Sequence, residues 1–442
     1  MHVDSTNGGV SNKLRNGAAV VLFLAVCYLF WVTTKPFIDL TDPATLDPSA
    51  EKSNLVNQLV TLAVSGGLLL FGLTSPLRST ILQPRLLLIC LFVWFFFVSA
   101  ISTYPDLALK RVVLAILTCI NAAVFLILPR SDRQFAQLLG VAMLAVLGLA
   151  YFGVTFIPSR AIHLATELRE PMNAGFWRGQ FAHKNEAAGV MVLTAFFGFY
   201  VYATWHKFLG VALVVLAAFF LMHTGGKTSS AALPAIVLLA WMFERWSWLR
   251  IPLSIGGIIA MNTITIGSAI SEPIRSLVSA VGVDPTFTNR TDIWRFAFSA
   301  ITQRPLFGYG FQLFWQTDEL VYSGGGVETW AVEAFNGHNA YLDSLLTTGI
   351  PGLVLTVFWL VILPLRDFGQ AEKTGNNPAL TRLFLRIWLY GIYTACVESF
   401  FFLSGASIWF VLLIAVFGLR LQARASVVSE TSKPITDTVS HA

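Results

Sequence analysis

Four short polar clusters and one isolated acid carry the residue types that could do chemistry. The first runs Phe176-Trp-Arg178-Gly-Gln-Phe-Ala-His183-Lys184-Asn185 and leads directly into an apolar stretch. Asn185 is placed to cap that helix, so Arg178, Lys184 and the helix N-terminus together suit a phosphate. The alternative makes Arg178 and Lys184 interfacial anchors beside Phe176 and Trp177. The second cluster is His223-Thr-Gly-Gly-Lys227-Thr-Ser-Ser. Its glycines allow tight turning or close approach to a ligand, although the spacing is not that of a P-loop. A lysine that snorkels to the membrane boundary is the plainer account of Lys227.

The third cluster, Asn289-Arg290-Thr-Asp-Ile-Trp294, opens a segment with apolar residues at Ile293, Ala297, Ala300 and Ile301. That spacing predicts an amphipathic helix lying flat on a bilayer, with Arg290 just before its first turn. Arginine there can grip phosphate oxygens with a two-pronged fork. The fourth cluster, His338-Asn339-Ala-Tyr-Leu-Asp343, is expected to open a helix at His338 that closes at Gly349 and restarts at Pro351. Asn339 and Asp343 would then share a face. A histidine at such a helix start can take a proton near neutral pH, and Asp343, Glu333 and Asp292 remain alternative bases. Glu398 is expected inside the eleventh apolar helix, about 7 Å below its outer end, with Arg290 or Lys227 as its partner.

What must position these residues is a membrane bundle. Hydrophobic residues make up 55% of the 442 and charged ones only 12%, too little polar surface for a soluble chain. The fold class expected is all-α, a polytopic bundle of about twelve spans with one large external loop. The apolar segments centre on 17–34, 55–74, 86–103, 108–128, 134–157, 187–205, 208–223, 229–243, 251–270, 350–365, 383–403 and 406–419. Lys and Arg concentrate in alternate short loops, which puts both termini in the cytoplasm. The domains expected are a cytoplasmic N-terminus (1–16), nine spans (17–270) with an external loop at 158–186, the large external loop (271–349), three spans (350–419) and a disordered cytoplasmic tail (420–442). The net charge of +5 is scattered and forms no basic stripe, which argues against nucleic acid. Cys27, Cys90, Cys119 and Cys396 lie in apolar runs without paired spacing and read as free thiols; no metal site is expected.

Taken in order, these motifs resemble the O-antigen ligase and polymerase superfamily, and look closest to its exopolysaccharide polymerases of the ExoQ type. The residues that carry the resemblance are Gly179-Gln-Phe-Ala-His183-Lys184-Asn185, Lys227-Thr-Ser-Ser, Asn289-Arg290-Thr-Asp-Ile-Trp294, Arg304-Pro-Leu-Phe-Gly308-Tyr-Gly310, and His338-Asn339-x-x-Leu342 through Gly349. The resemblance implies a GT-C-like membrane glycosyltransferase in the bacterial inner membrane, with its active site facing the periplasm. It implies a donor oligosaccharide on undecaprenyl pyrophosphate, a glycan acceptor, no cofactor or metal, and a flippase and chain-length regulator as partners. Arg290 matches the family's loop arginine and His338 its loop histidine, while Lys227 stands where an arginine is common. His338, Arg290 and Lys227 are the expected catalytic set. Arg178, His183, Lys184, Asn185, Asn339, Asp343 and Glu398 are expected to bind substrate. Within the family the alternative is ligation of finished glycan to lipid A core or protein. A secondary transporter is the rival from another class, but it would carry ionisable residues near the midplane.

Overall fold

The computed structural model describes residues 6–32, 35–43, 55–168, 170–280, 282, 284–287, 290–317, 320 and 330–424. Among them there is no β-strand, only isolated bridges between Ile162 and Trp177 and between Phe314 and Gln316. Every apolar segment expected from the sequence overlaps a helix. The first nine are α1 (Thr6–Cys27, extended by a π turn), α2 (Leu55–Leu73), α3 (Arg85–Ala100), α4 (Pro105–Phe125), α5 (Asp132–Phe156), α6 (Lys184–Thr204), α7 (Lys207–His223), α8 (Lys227–Arg245) and α9 (Gly257–Ile270). Two shorter helices follow, α10 (Glu272–Ala280) and α11 (Arg290–Gln303). The chain then continues through α12 (Ala340–Val357), α13 (Leu363–Thr374), α14 (Pro378–Thr394) and α15 (Ser407–Gln422).

Among the described residues, length and composition qualify seven helical stretches to cross a membrane, while α3, α7 and α15 are apolar but shorter. That is fewer than the twelve spans expected. Pro234 interrupts α8, and α14 is 17 residues long. α6 and α15 are buried on nearly every face and form the centre of the bundle, as all-round apolar helices should.

Interactions between elements sort the helix ends into two sets. Arg250–Glu372, Arg382–Glu244 and Arg420–Asp367 ion pairs tie together one end. At the other end Ser407 Oγ donates to the Phe30 carbonyl, Arg160 pairs with Asp39, Trp177 N donates to the His223 carbonyl and Ala340 N to that of Ala395. The described residues of the connections 157–183, 224–226, 271–339 and 395–406 therefore share this second, loop end.

Four sequence expectations change. α11 begins at Arg290 itself and buries Trp294, Ala297 and Ile301 against α9 and α12, and Ile293 against Ala331 and Ala334. α12 begins at Ala340 with Asn339 as its N-cap, so His338 precedes the helix. The expected break at Gly349 is present: its φ is +68°, and a Cβ there would lie 2.1 Å from the Leu306 carbonyl oxygen. α14 stops at Thr394, which puts Glu398 in the following turn and not within a helix. Hydropathy misplaced this end because Phe400, Phe401 and Phe402 continue the apolar run although they are non-helical and packed on Tyr341, Phe311 and Trp409. Finally, α15 extends through Gln422, and of the expected tail 425–442 lies outside the described residues, as do Asn289 and the Glu333 side chain.

Candidate active site

The turn after α14 is where the chemistry-bearing residues meet. Where a helix gives way to a turn, the turn's carbonyls lose the helical donors, and buried carbonyls need others. Here Ala340 N reaches the Ala395 carbonyl, Asn339 Nδ2 the Cys396 carbonyl at 2.8 Å, and Arg290 Nη1 the Val397 carbonyl. Arg290 Nη2 also donates to Glu398 Oε1 at 3.2 Å, so of the two partners expected for Glu398, Arg290 and Lys227, it is Arg290 that pairs with it. The other oxygen, Oε2, lies 3.6 Å from His338 Nδ1, an ion-pair separation rather than a hydrogen bond. Glu398 thus stands between the arginine and the histidine. Burial works to raise its pKa, but His338 and the Arg290 guanidinium prevail and hold the carboxyl below the usual carboxylate range.

His338 is held in an uncommon backbone conformation, φ +46°, with its N–H bonded to Asn336 Oδ1 at 2.9 Å. Its flanking residues are clamped. Gly337 accepts from Trp294 Nε1 at 2.8 Å and donates to Asp343, and a Cβ on it would meet Asp343 Oδ1 at 2.5 Å. Asn339 is fully buried: its Oδ1 caps Leu342 N and its Nδ2 also donates to Asn262 Oδ1 at 2.7 Å. Asp343 accepts from Trp315 Nε1 at 2.8 Å as well as from Gly337 N. Asn339 and Asp343 therefore brace the histidine rather than share a free face as substrate ligands.

That arrangement predicts a separation between bracing and chemistry. Asp343→Ala leaves two donors without acceptors, the buried Gly337 N at about 1–3 kcal/mol and the half-buried Trp315 Nε1 at less, and should lower the thermal unfolding midpoint together with activity. Asp343→Asn, which keeps one acceptor oxygen, should recover much of both. Activity lost in Asp343→Asn at an unchanged midpoint would instead make Asp343 a reacting group.

A second cationic group gathers where α6 and α8 begin. Lys184 lies 4.5 Å over the Phe176 ring and within electrostatic reach of Lys227. Lys227 is the exposed first residue of α8, and among the described residues it makes no ion pair. A Cβ on Gly225 would sit 2.3 Å from Phe176, so the glycine is what lets the α8 start close against that ring. Tyr390 is buried on α14, which packs against both α6 and α8.

Three expectations at the 176–185 loop are corrected. Arg178 is 1% exposed and donates to the Phe181 and Ile38 carbonyls, which occupies the fork expected to hold phosphate. His183, not Asn185, caps α6, with Nδ1 accepting from Asn185 N at 3.1 Å; His163 Nε2 accepts from Lys184 N at 3.2 Å. Two imidazoles thus occupy amides that were expected to face an anion. Glu170 bonds His183 Nε2 at 2.8 Å, and that bond lowers its carboxyl to about 2. Sequence reading missed His163, Glu170, Asn262 and Tyr390. Asn262 alone left a signal, as an amide within an apolar run.

The stretch from α7 into α12, residues 212–357, matches a family model described as O-antigen ligase. It contains Lys227, Arg290 and His338, whereas Glu398 follows it and the 176–185 loop precedes it. The exopolysaccharide production protein ExoQ of Rhizobium meliloti (strain 1021) is 27% identical over 213 residues, 44% of this chain and 47% of that protein. A protein of Rickettsia felis (strain ATCC VR-1525 / URRWXCal2) described as a putative polysaccharide ligase is 25% identical over 138 residues, 30% of this chain and 33% of that one. Each match spans less than half of the relative's length. The O-antigen ligase resemblance read from the motifs thus holds at the level of the family.

Proposed function

We propose that the chain is a bacterial inner-membrane glycosyltransferase that polymerises repeat units carried on undecaprenyl pyrophosphate, with its loop end facing the periplasm and its termini in the cytoplasm. The observation that carries this reading is the Glu398 carboxylate standing between Arg290 and His338. A base oriented by a carboxylate beside a fixed guanidinium suits transfer from a phosphate leaving group. The acceptor hydroxyl oxygen attacks the anomeric carbon as the bond from that carbon to the pyrophosphate oxygen breaks, inverting the centre. The hydroxyl proton passes to His338 Nε2, and Glu398 stabilises the imidazolium that results. The charge growing on the leaving pyrophosphate is met by Arg290, with Lys227 and Lys184 as further cations. No cofactor or metal enters this scheme. The bundle is read as GT-C-like, and a flippase and chain-length regulator would be its partners.

Polymerisation is favoured over ligation because the likeness to ExoQ covers 44% of the chain, against 30% for the ligase relative. The test supplies purified protein with one lipid-linked repeat unit and no second acceptor. A polymerase uses one molecule as donor and another as acceptor, so products spaced by one repeat should form a ladder on a gel. A ligase would leave the substrate unchanged until lipid A core is added.

A further inference from the structure

We propose that a groove between α2, α3 and α4 binds one anionic glycerophospholipid, an acyl chain along the groove and the phosphate against Arg78 and Arg85. The groove is a cavity of about 500 Å³ lined by apolar side chains, among them Leu69, Leu88, Phe92, Ile120 and Val124, a size in the range of ligand pockets. It runs from the α2–α3 connection to Phe96, about 16 Å along α3 at 1.5 Å per residue. Its floor is where α2 and α4 approach closely: a Cβ on Gly72 would lie 2.9 Å from Val124 Cγ2. Apolar surface toward lipid is ordinary; a recess with cations at its mouth is not.

Arg78 and Arg85 line the end of the groove nearest the connection, and both are exposed. Arg85 Nη2 donates to the Arg78 and Ser79 carbonyls at 3.1 Å each, which fixes its guanidinium against the turn that carries Arg78. Among the described residues no acid forms an ion pair with either arginine. Paired guanidiniums above an apolar recess between membrane helices match a phosphate headgroup with its chain. The occupant is not the glycan donor, because these cations lie at the opposite end of the bundle from His338 and Glu398. α3 alone, 16 residues long, separates the two ends by about 24 Å.

The test uses full-length protein stripped of lipid in detergent, titrated with phosphatidylglycerol or phosphatidylcholine, with retained lipid counted by native mass spectrometry. One saturable phosphatidylglycerol should be retained at concentrations where phosphatidylcholine is not. Retention should weaken at least tenfold in the Arg78→Gln/Arg85→Gln double variant. It should weaken similarly in Ile89→Trp, which fills the groove and leaves both arginines in place. All three positions are exposed, and a thermal unfolding midpoint taken on each sample confirms that the fold is kept. Equal retention of both lipids, or unchanged retention in both variants, overturns the site. Displacement of phosphatidylglycerol by equimolar undecaprenyl phosphate overturns the choice of occupant.

Discussion

His338→Ala is expected to slow growth of the glycan ladder by about 10²–10⁴-fold, the usual worth of a general base, while the protein stays folded. The imidazole is 33% exposed and its nearest acid, Glu398, lies 3.6 Å away, so little packing depends on it. The backbone adds a second arm to the experiment. At φ +46° an alanine keeps the conformational cost that histidine bears, whereas a glycine removes it. His338→Gly should therefore be at least as stable as His338→Ala and equally slow. Raising the pH should partly restore both, because the acceptor hydroxyl then needs less help. Glu398→Gln should slow the ladder too, by removing the charge that faces Nδ1. Since the folded Glu398 pKa lies below its ordinary value, its contribution to stability is fully present above about 4.3; it is lost only as pH falls further, through the folded value. A ladder at full rate in both His338 variants would move the base elsewhere.

Arg290→Ala is expected to abolish ladder formation, and here structure and chemistry are joined. The side chain satisfies the Val397 carbonyl and pairs with Glu398, at 22% and 29% exposure respectively, so its removal leaves a carbonyl and a carboxylate without their donor. A modest fall in the unfolding midpoint should accompany the loss of activity. Arg290→Lys restores one charge without the fork, and so should recover the midpoint more fully than the rate. The double variant Arg290→Ala/Glu398→Ala separates the two effects. It should regain stability over Arg290→Ala, because no carboxylate is left unpaired, and it should remain inactive. Activity in the double variant would limit Arg290 to holding Glu398 in check and remove it from the leaving group.

The sequence by itself determined what local pattern and composition control. Runs of apolar residues placed every one of the long helices, because the period and length of such runs are properties of the chain alone. Arg290, His338 and Glu398 were recognisable as residues whose charge or basicity needs a reason in an apolar protein, and Arg290 was among the partners expected for Glu398. Tertiary structure decided which donors are still available to a ligand. The Arg178 fork is used by two carbonyls, one of them from a residue 140 positions away. Asn339 and Asp343 are used by Asn262, Cys396, Trp315 and Gly337. Likewise, His183 and His163 together take the amides at the start of α6 that Asn185 was expected to manage. The end of α14 was decided in the same way. The carbonyls of the turn that follows it, at Ala395, Cys396 and Val397, find donors on Ala340, Asn339 and Arg290, so the helix can stop before Glu398 although hydropathy continues past it. Hydrogen-bond satisfaction is set by partners distant in sequence, and a polar residue's spacing along the chain does not reveal whether another part of the fold has already claimed it.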